Sequence, residues 1–137
     1  KQQAIEHYAD MLRLNPDDNQ GIRYILANCL LEQGRDDEAG ALLKKYEDDA
    51  SAEWAYSKTL WTLRTQGEAK AAKCLKEALN ENKFVPKYLL GKLPARLPEY
   101  YSLGGEDEAV CYAVGAKDAW ARTLSALDWL AKATKNA

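Results

Sequence analysis

Apolar side chains near the start of the chain recur on one helical face: Ala4, Ile5, Tyr8, Met11 and Leu12 follow the i, i+3, i+4 period that predicts an amphipathic helix. Pro16 ends that pattern, because it lacks an amide hydrogen and restricts the residue before it. Asp17, Asp18 and Asn19 then offer side-chain oxygens to the free amides of a second helix. Its apolar face is Ile22, Ile25, Leu26, Cys29 and Leu30, and it runs to Gly34, a residue suited to a left-handed stop. Asp36 or Asp37 opens a third helix carrying Ala39, Leu42, Leu43 and Tyr46.

The punctuation repeats. Residues 52–66 carry Trp54, Tyr56, Leu60, Trp61 and Leu63 up to Gly67, and residues 68–81 carry Ala71, Leu75, Ala78 and Leu79. Val85 to Gly91 reads as a short helix with Pro86 in its first turn, where a missing amide costs nothing extra. Lys92 to Gly105 contains two Leu-Pro steps and predicts the one long connection. Its Leu93, Leu97, Tyr100, Tyr101 and Leu103 are more apolar than a solvated loop needs, so it is expected to be ordered. Two readings stay open, a packed cover over the last hairpin or a side wall of a binding groove. A helix restarts behind Gly105, and Asp118 to Lys132, with Trp120, Leu124, Leu127 and Leu130, predicts an amphipathic closing helix.

Ala4, Ala39, Ala71 and Ala109 are spaced 35, 32 and 38 residues apart, and each sits early in the second helix of a pair. "GRDDEA", "GEAKA" and "GGEDEA" place a small-residue turn ahead of the last three. Helix, tight turn and helix with a period near 34 residues resembles the tetratricopeptide repeat. Ala4, Tyr8, Met11 and Pro16 match that family's second helix, Ala39, Leu43 and Tyr46 match it without the proline, and Ala71, Leu75 and Ala78 follow. The family's first-helix signature is thin, appearing as Ile22, Ile25 and Leu26. Toward the C-terminus, "VPKYLLGKLP", "GEDEAVCYA" and "ALDWL" are similar to a group of tetratricopeptide proteins of unassigned activity. A weaker likeness runs to the suppressor-of-tumorigenicity-seven family.

The resemblance implies an all-α, right-handed stack of antiparallel helical hairpins with a closing helix. Residues 1–16 form a half repeat, 17–49 and 50–84 full repeats, 85–116 a degenerate repeat with the loop 92–105, and 117–137 the closing helix. The half repeat would leave Ile5, Tyr8 and Leu12 half covered, so either an upstream helix or self-association is expected there. A curved stack of this kind has a concave groove lined by first helices. By the family's geometry that groove falls near Gln20, Arg23, Ala27 and Leu30, then Lys58 and Thr62, then Val85 and Tyr88, with Tyr100 and Tyr101 at the rim. Arg23 and Lys58 would meet carboxylates of a bound peptide or helix, or else run along their helices to solvent. Ala27 stands where chaperone-tail-binding relatives carry an asparagine, which argues against a chaperone adaptor.

Composition narrows the classes of function. The 137 residues are 47% hydrophobic and 29% charged, which suits one globular domain. Net charge is −2, but residues 1–68 hold eight basic and thirteen acidic side chains and residues 69–137 eleven and eight, so the halves carry −5 and +3. The alternative to a protein-binding scaffold is a nucleic-acid-binding module using Lys70, Lys73, Lys76, Lys83, Lys87, Lys92 and Arg96, with Tyr88 for stacking, and the acidic balance weighs against it. Cys29, Cys74 and Cys111 are widely spaced and have only His7 to join them, so no zinc pattern exists and reduced thiols in a cytoplasmic protein are expected. No apolar run approaches the roughly 18 residues that a membrane span needs. His7 lacks a partner nucleophile, paired aspartates sit where helix caps explain them, and "LGGEDEA" lacks the lysine of a phosphate loop. No catalysis and no cofactor are expected.

Overall fold

The computed structural model describes residues 2–91, 93 and 102–135, and among these the chain is all-helical, with eight helices in packed antiparallel pairs. They are α1 (Gln2–Leu14), α2 (Ile22–Glu32), α3 (Asp36–Lys45), α4 (Ala52–Gln66), α5 (Glu68–Glu81), α6 (Val85–Leu90), α7 (Glu106–Arg122) and α8 (Ala126–Lys135).

Each start and stop has a local cause. Asp18 opens α2: its carboxylate accepts from the amides of Ile22 at 2.7 Å and Arg23 at 2.9 Å, filling the N-cap role expected of the Asp17–Asn19 cluster. Gly34, at φ 74°, takes the left-handed stop between α2 and α3 that a side chain would strain. Asp36 and Asp37 lie inside the first turn of α3, where their charge suits the helix dipole, and neither accepts a capping hydrogen bond. Ser51 caps α4 by accepting from the Trp54 amide. Pro86 sits in the first turn of α6.

The hairpins α2/α3 and α4/α5 bury one alanine each at the predicted crossing: Ala39 and Ala71 are 0% exposed, as is Ala109 in α7. Between the hairpins, α2 packs on α1 and α4, and α3 packs on α4. Ile5 and Leu12 are 2% and 4% exposed, and Tyr8 also packs on the core. The face expected to be half covered has α2 packed against it, while Ile5 and Leu12 also line an open groove of about 350 Å³ with Leu26, Leu30 and Leu42.

At the other end the boundaries differ from the expected ones. The closing helix does not begin at Asp118: α7 continues through Gly115 and Lys117 to Arg122, and the break falls at Thr123–Ser125, with Ser125 at φ 63°. More consequential is where α7 goes. It packs across both α2 and α4, and α6 and α8 pack against one another beside it. Tyr112 of α7 lies 5.8 Å from Tyr56 of α4, ring centre to ring centre, and a side chain at Gly115 would meet the Asn28 amide of α2 at 3.0 Å. Of the long connection, Leu93 packs against the core and Leu103 is exposed. Leu97, Tyr100 and Tyr101 lie outside the described residues.

Candidate functional site: a tryptophan-floored cleft

α7 covers the face shared by α2 and α4, so open grooves lie on other faces. One lies between α3 and α5, with α4 as its floor, and encloses about 410 Å³. The floor is Trp54, Ala55, Lys58 and Trp61; Gly40, Leu43, Lys44 and Glu47 form one wall, and Glu77 and Glu81 the other.

Gly40 is the residue that shapes it. A Cβ there would lie 2.6 Å from Cζ2 of Trp61, so only glycine lets the indole reach across to α3. The indole is then fixed by donating from Nε1 to the Asp36 carbonyl at 2.8 Å. Trp54 is fixed in the same way, its Nε1 donating to the Leu43 carbonyl at 3.3 Å. Its ring meets those of Tyr24 and Tyr46 edge to face, at 5.7 and 6.2 Å, the favoured geometry for aromatic pairs.

At the end of the cleft where Asp49 and Ala50 sit, Arg23 holds the Asp49 carboxylate. Its Nε donates to Asp49 at 2.9 Å and its Nη1 to Asp18 at 3.0 Å, while the guanidinium carbon stands 4.6 Å from the Tyr24 ring centre and 5.1 Å from that of Tyr46. Burial works against ionisation of Asp49, yet hydrogen bonds from Tyr24, Ser51 and Arg23 outweigh it and hold the carboxyl below its usual range. Burial, with the bond to Asp49, pushes the Tyr24 hydroxyl up to about 12. Arg23 thus clamps the turn before α2 to the turn before α4.

The residues expected to line one groove are separated by the fold. Arg23 is engaged in this clamp, and Gln20 is exposed beside Met11 and Ile22 on the turn between α1 and α2. Thr62 is 3% exposed and accepts from the Cys74 thiol, so its side chain serves the α4/α5 crossing. Ala27 and Leu30 are buried, as is Val85. Tyr88 donates its hydroxyl to Glu106 at 2.9 Å, and Lys87 pairs with the same carboxylate at 3.1 Å. Lys58 alone of the seven stands exposed in the cleft, and Tyr100 and Tyr101 fall outside the described residues. In sequence, Trp54 and Trp61 read as packing residues and Gly40 carries no assigned role. The signal was there, since a glycine inside a helix is less favourable than alanine by about 1 kcal/mol and asks for a packing reason.

A larger cleft, about 660 Å³, lies where the α2–α3 turn, the end of α4 and the α7–α8 turn converge. Its charged groups largely satisfy one another: Arg64 pairs with Asp36 at 2.7 Å and donates to the Leu31 carbonyl, and Arg122 approaches Glu32 at 3.5 Å. Leu124, 94% exposed, stands on the turn beside it.

Beneath α4 lies a second polar cluster. Glu108, 1% exposed in the first turn of α7, accepts from the Ala52 amide at 3.1 Å, from Asn82 Nδ2 at 2.9 Å and from the Gly104 amide at 2.9 Å. Burial, then the charges of Glu108 and Asp49, push the neighbouring Glu53 up to about 7. Cys29, Cys74 and Cys111 are partly buried and none is in a disulfide, and burial raises the pKa of the Cys111 thiol.

Among the described residues no three His, Cys, Asp or Glu side chains are grouped to hold a metal ion, and no helix is long and apolar enough to cross a membrane. No curated protein and no solved structure matches the chain, so neither of the C-terminal likenesses gains support. A family does match over the first hairpins: residues 2–60, which hold α1, α2, α3 and the first part of α4, fit the tetratricopeptide repeat, a family whose members generally serve as protein–protein interaction modules.

Proposed function

We propose that this chain is a non-catalytic scaffold that binds a peptide or helical segment of another protein, and that it does so in the cleft between α3 and α5. The observation that carries this reading is the cleft itself, an apolar floor of the fixed, partly exposed Trp61 indole backed by the buried Trp54, between two helices that do not close over it. Rigid aromatic surface of this kind gives contact area without loss of side-chain freedom on binding. Lys58, in the middle of the floor, would donate to a carbonyl or carboxylate of the bound segment. The face over α2 and α4, where a stack of such repeats would offer its concave groove, is taken by α7. Three widely spaced cysteines, none in a disulfide, support work in a reducing, cytoplasmic setting.

Site-specific photo-crosslinking tests the reading. A crosslinker at position 58 should capture a protein from the source cell, and one at Lys132, exposed on α8, should not. Capture at both positions alike, or nucleic acid retained in a salt-sensitive way through Lys70, Lys73 and Lys76, would contradict it.

A further inference from the structure

The charge around the cleft goes further and names the chemistry of the partner, an argument that rests on the reading just given. We infer that the cleft takes a basic segment of another protein, with a Lys or Arg side chain held by Glu77 and Glu81 and an adjacent apolar side chain on the ring of Trp61.

Glu77 and Glu81 are i, i+4 neighbours in the last turns of α5, and both are exposed on the cleft wall. Like charges at that spacing repel, and acidic groups at a helix C-terminus also oppose the dipole. No basic residue occupies the last turn of α5 to relieve them. Among the described residues neither carboxylate makes an ion pair or a side-chain hydrogen bond. Lys73, one turn before Glu77, makes no ion pair with it and lies too far back to serve Glu81, so an incoming cation would relieve both the repulsion and the opposition to the dipole. Glu47, just past the end of α3, adds a third exposed carboxylate from the facing wall.

Two lysines line the same cleft. Lys44 lies in the last turn of α3, where it balances that helix's own dipole. Lys58 belongs to the floor, a turn from Trp54 and from Trp61, and is placed to meet the backbone of a segment whose side chain reaches the α5 wall. Three carboxylates and two helix C-termini against these two lysines leave the cleft selective for positive charge. The apolar half of the ligand follows from the indoles, since an Arg or Lys stem packs on an aromatic face while its head reaches the carboxylates.

The test pans a displayed library of random linear peptides against the full chain and against its Glu77→Gln/Glu81→Gln form. Both changed positions are exposed and neutralising them removes a repulsion, so thermal unfolding of the double variant at or slightly above the parent's temperature is the control on folding. Peptides enriched on the parent should carry Lys or Arg next to an apolar residue, and a synthetic copy should bind the parent about tenfold more tightly than the double variant. Enriched peptides that lose binding to Ala55→Arg, which fills the floor, but not to the double variant would overturn this inference and leave the cleft as the binding site. Peptides indifferent to both would overturn the inference and the cleft together. If instead the parent forms a dimer in sedimentation that the double variant does not, the occupant is a second copy of this chain, and the inference fails in that way.

Discussion

Gly40 and Trp61 show how one side chain's absence builds a surface. Since a Cβ at position 40 would lie 2.6 Å from the indole, Gly40→Ala must move Trp61 or bend α3. Overpacking of this kind costs about 1 to 3 kcal/mol, which outweighs the helix propensity that alanine brings. The variant should melt at lower temperature than the parent, and a higher melting temperature would show that Trp61 is not held where the structure has it. Glu53 makes a prediction of a different sort. Its folded-state value of about 7 lies above the ordinary 4.5, so the folded chain holds a proton there that the unfolded chain gives up first. This group therefore favours folding below pH 4.5, and that contribution is lost as pH rises from about 4.5 to about 7. Removing the charge with Glu53→Gln should add about 2 kcal/mol of stability at pH 8, after allowance for partial exposure, and close to nothing at pH 4. Denaturant titrations of the two proteins at both pH values would show it; an equal gain at both would place the cause elsewhere.

Among the helices, α2 to α6 could be read from the chain because each boundary has a local signal: Asp18 for a start, Gly34 and Gly67 for stops, Pro86 for a first turn. The α7–α8 boundary had none. Gly115 followed by Lys117 and Asp118 looks like a break in sequence, but Gly115 is a close approach to Asn28, and the actual turn is made by Ser125 in a conformation that sequence pattern does not mark. That turn is testable: Ser125→Gly should stabilise the chain by about 0.5 to 1 kcal/mol and Ser125→Val should destabilise it, since only glycine adopts positive φ freely. Melting temperatures that move in the same direction for both would contradict the turn's geometry. The site was legible only in part, for a related reason. Lys58 stands out as a lone cation among apolar residues on its helix face, whereas the role of Arg23 depends on Asp49, 26 residues away, and hydrophobic periodicity carries no information about such pairs.

The whole molecule is organised around α7. A stack of hairpins joined only to its neighbours would leave the faces of α2 and α4 open, but this chain lays its own later helix across them. Glu108 ties the first turn of that helix to the start of α4 and to the turns at Asn82 and Gly104, and Ala113, Ala116, Ala119 and Trp120 complete a fully buried seam. Glu108→Ala would leave buried amides unpaired and should cost about 3 kcal/mol. Faster hydrogen exchange at Ala52 and Gly104 than in the parent would accompany it; unchanged exchange at both would mean that the carboxylate is not their partner. The proposed placing of the binding cleft on the α3/α5 side holds only if α7 occupies the α2/α4 face in solution. The most direct check is a nuclear Overhauser measurement on the full chain between Gly115 Hα and the Asn28 side-chain amide, and between the rings of Tyr112 and Tyr56. Cross-peaks at both pairs are the predicted result. Their absence, with the amides of α7 exchanging as rapidly as those of an undocked helix, would reopen the concave face and contradict the account.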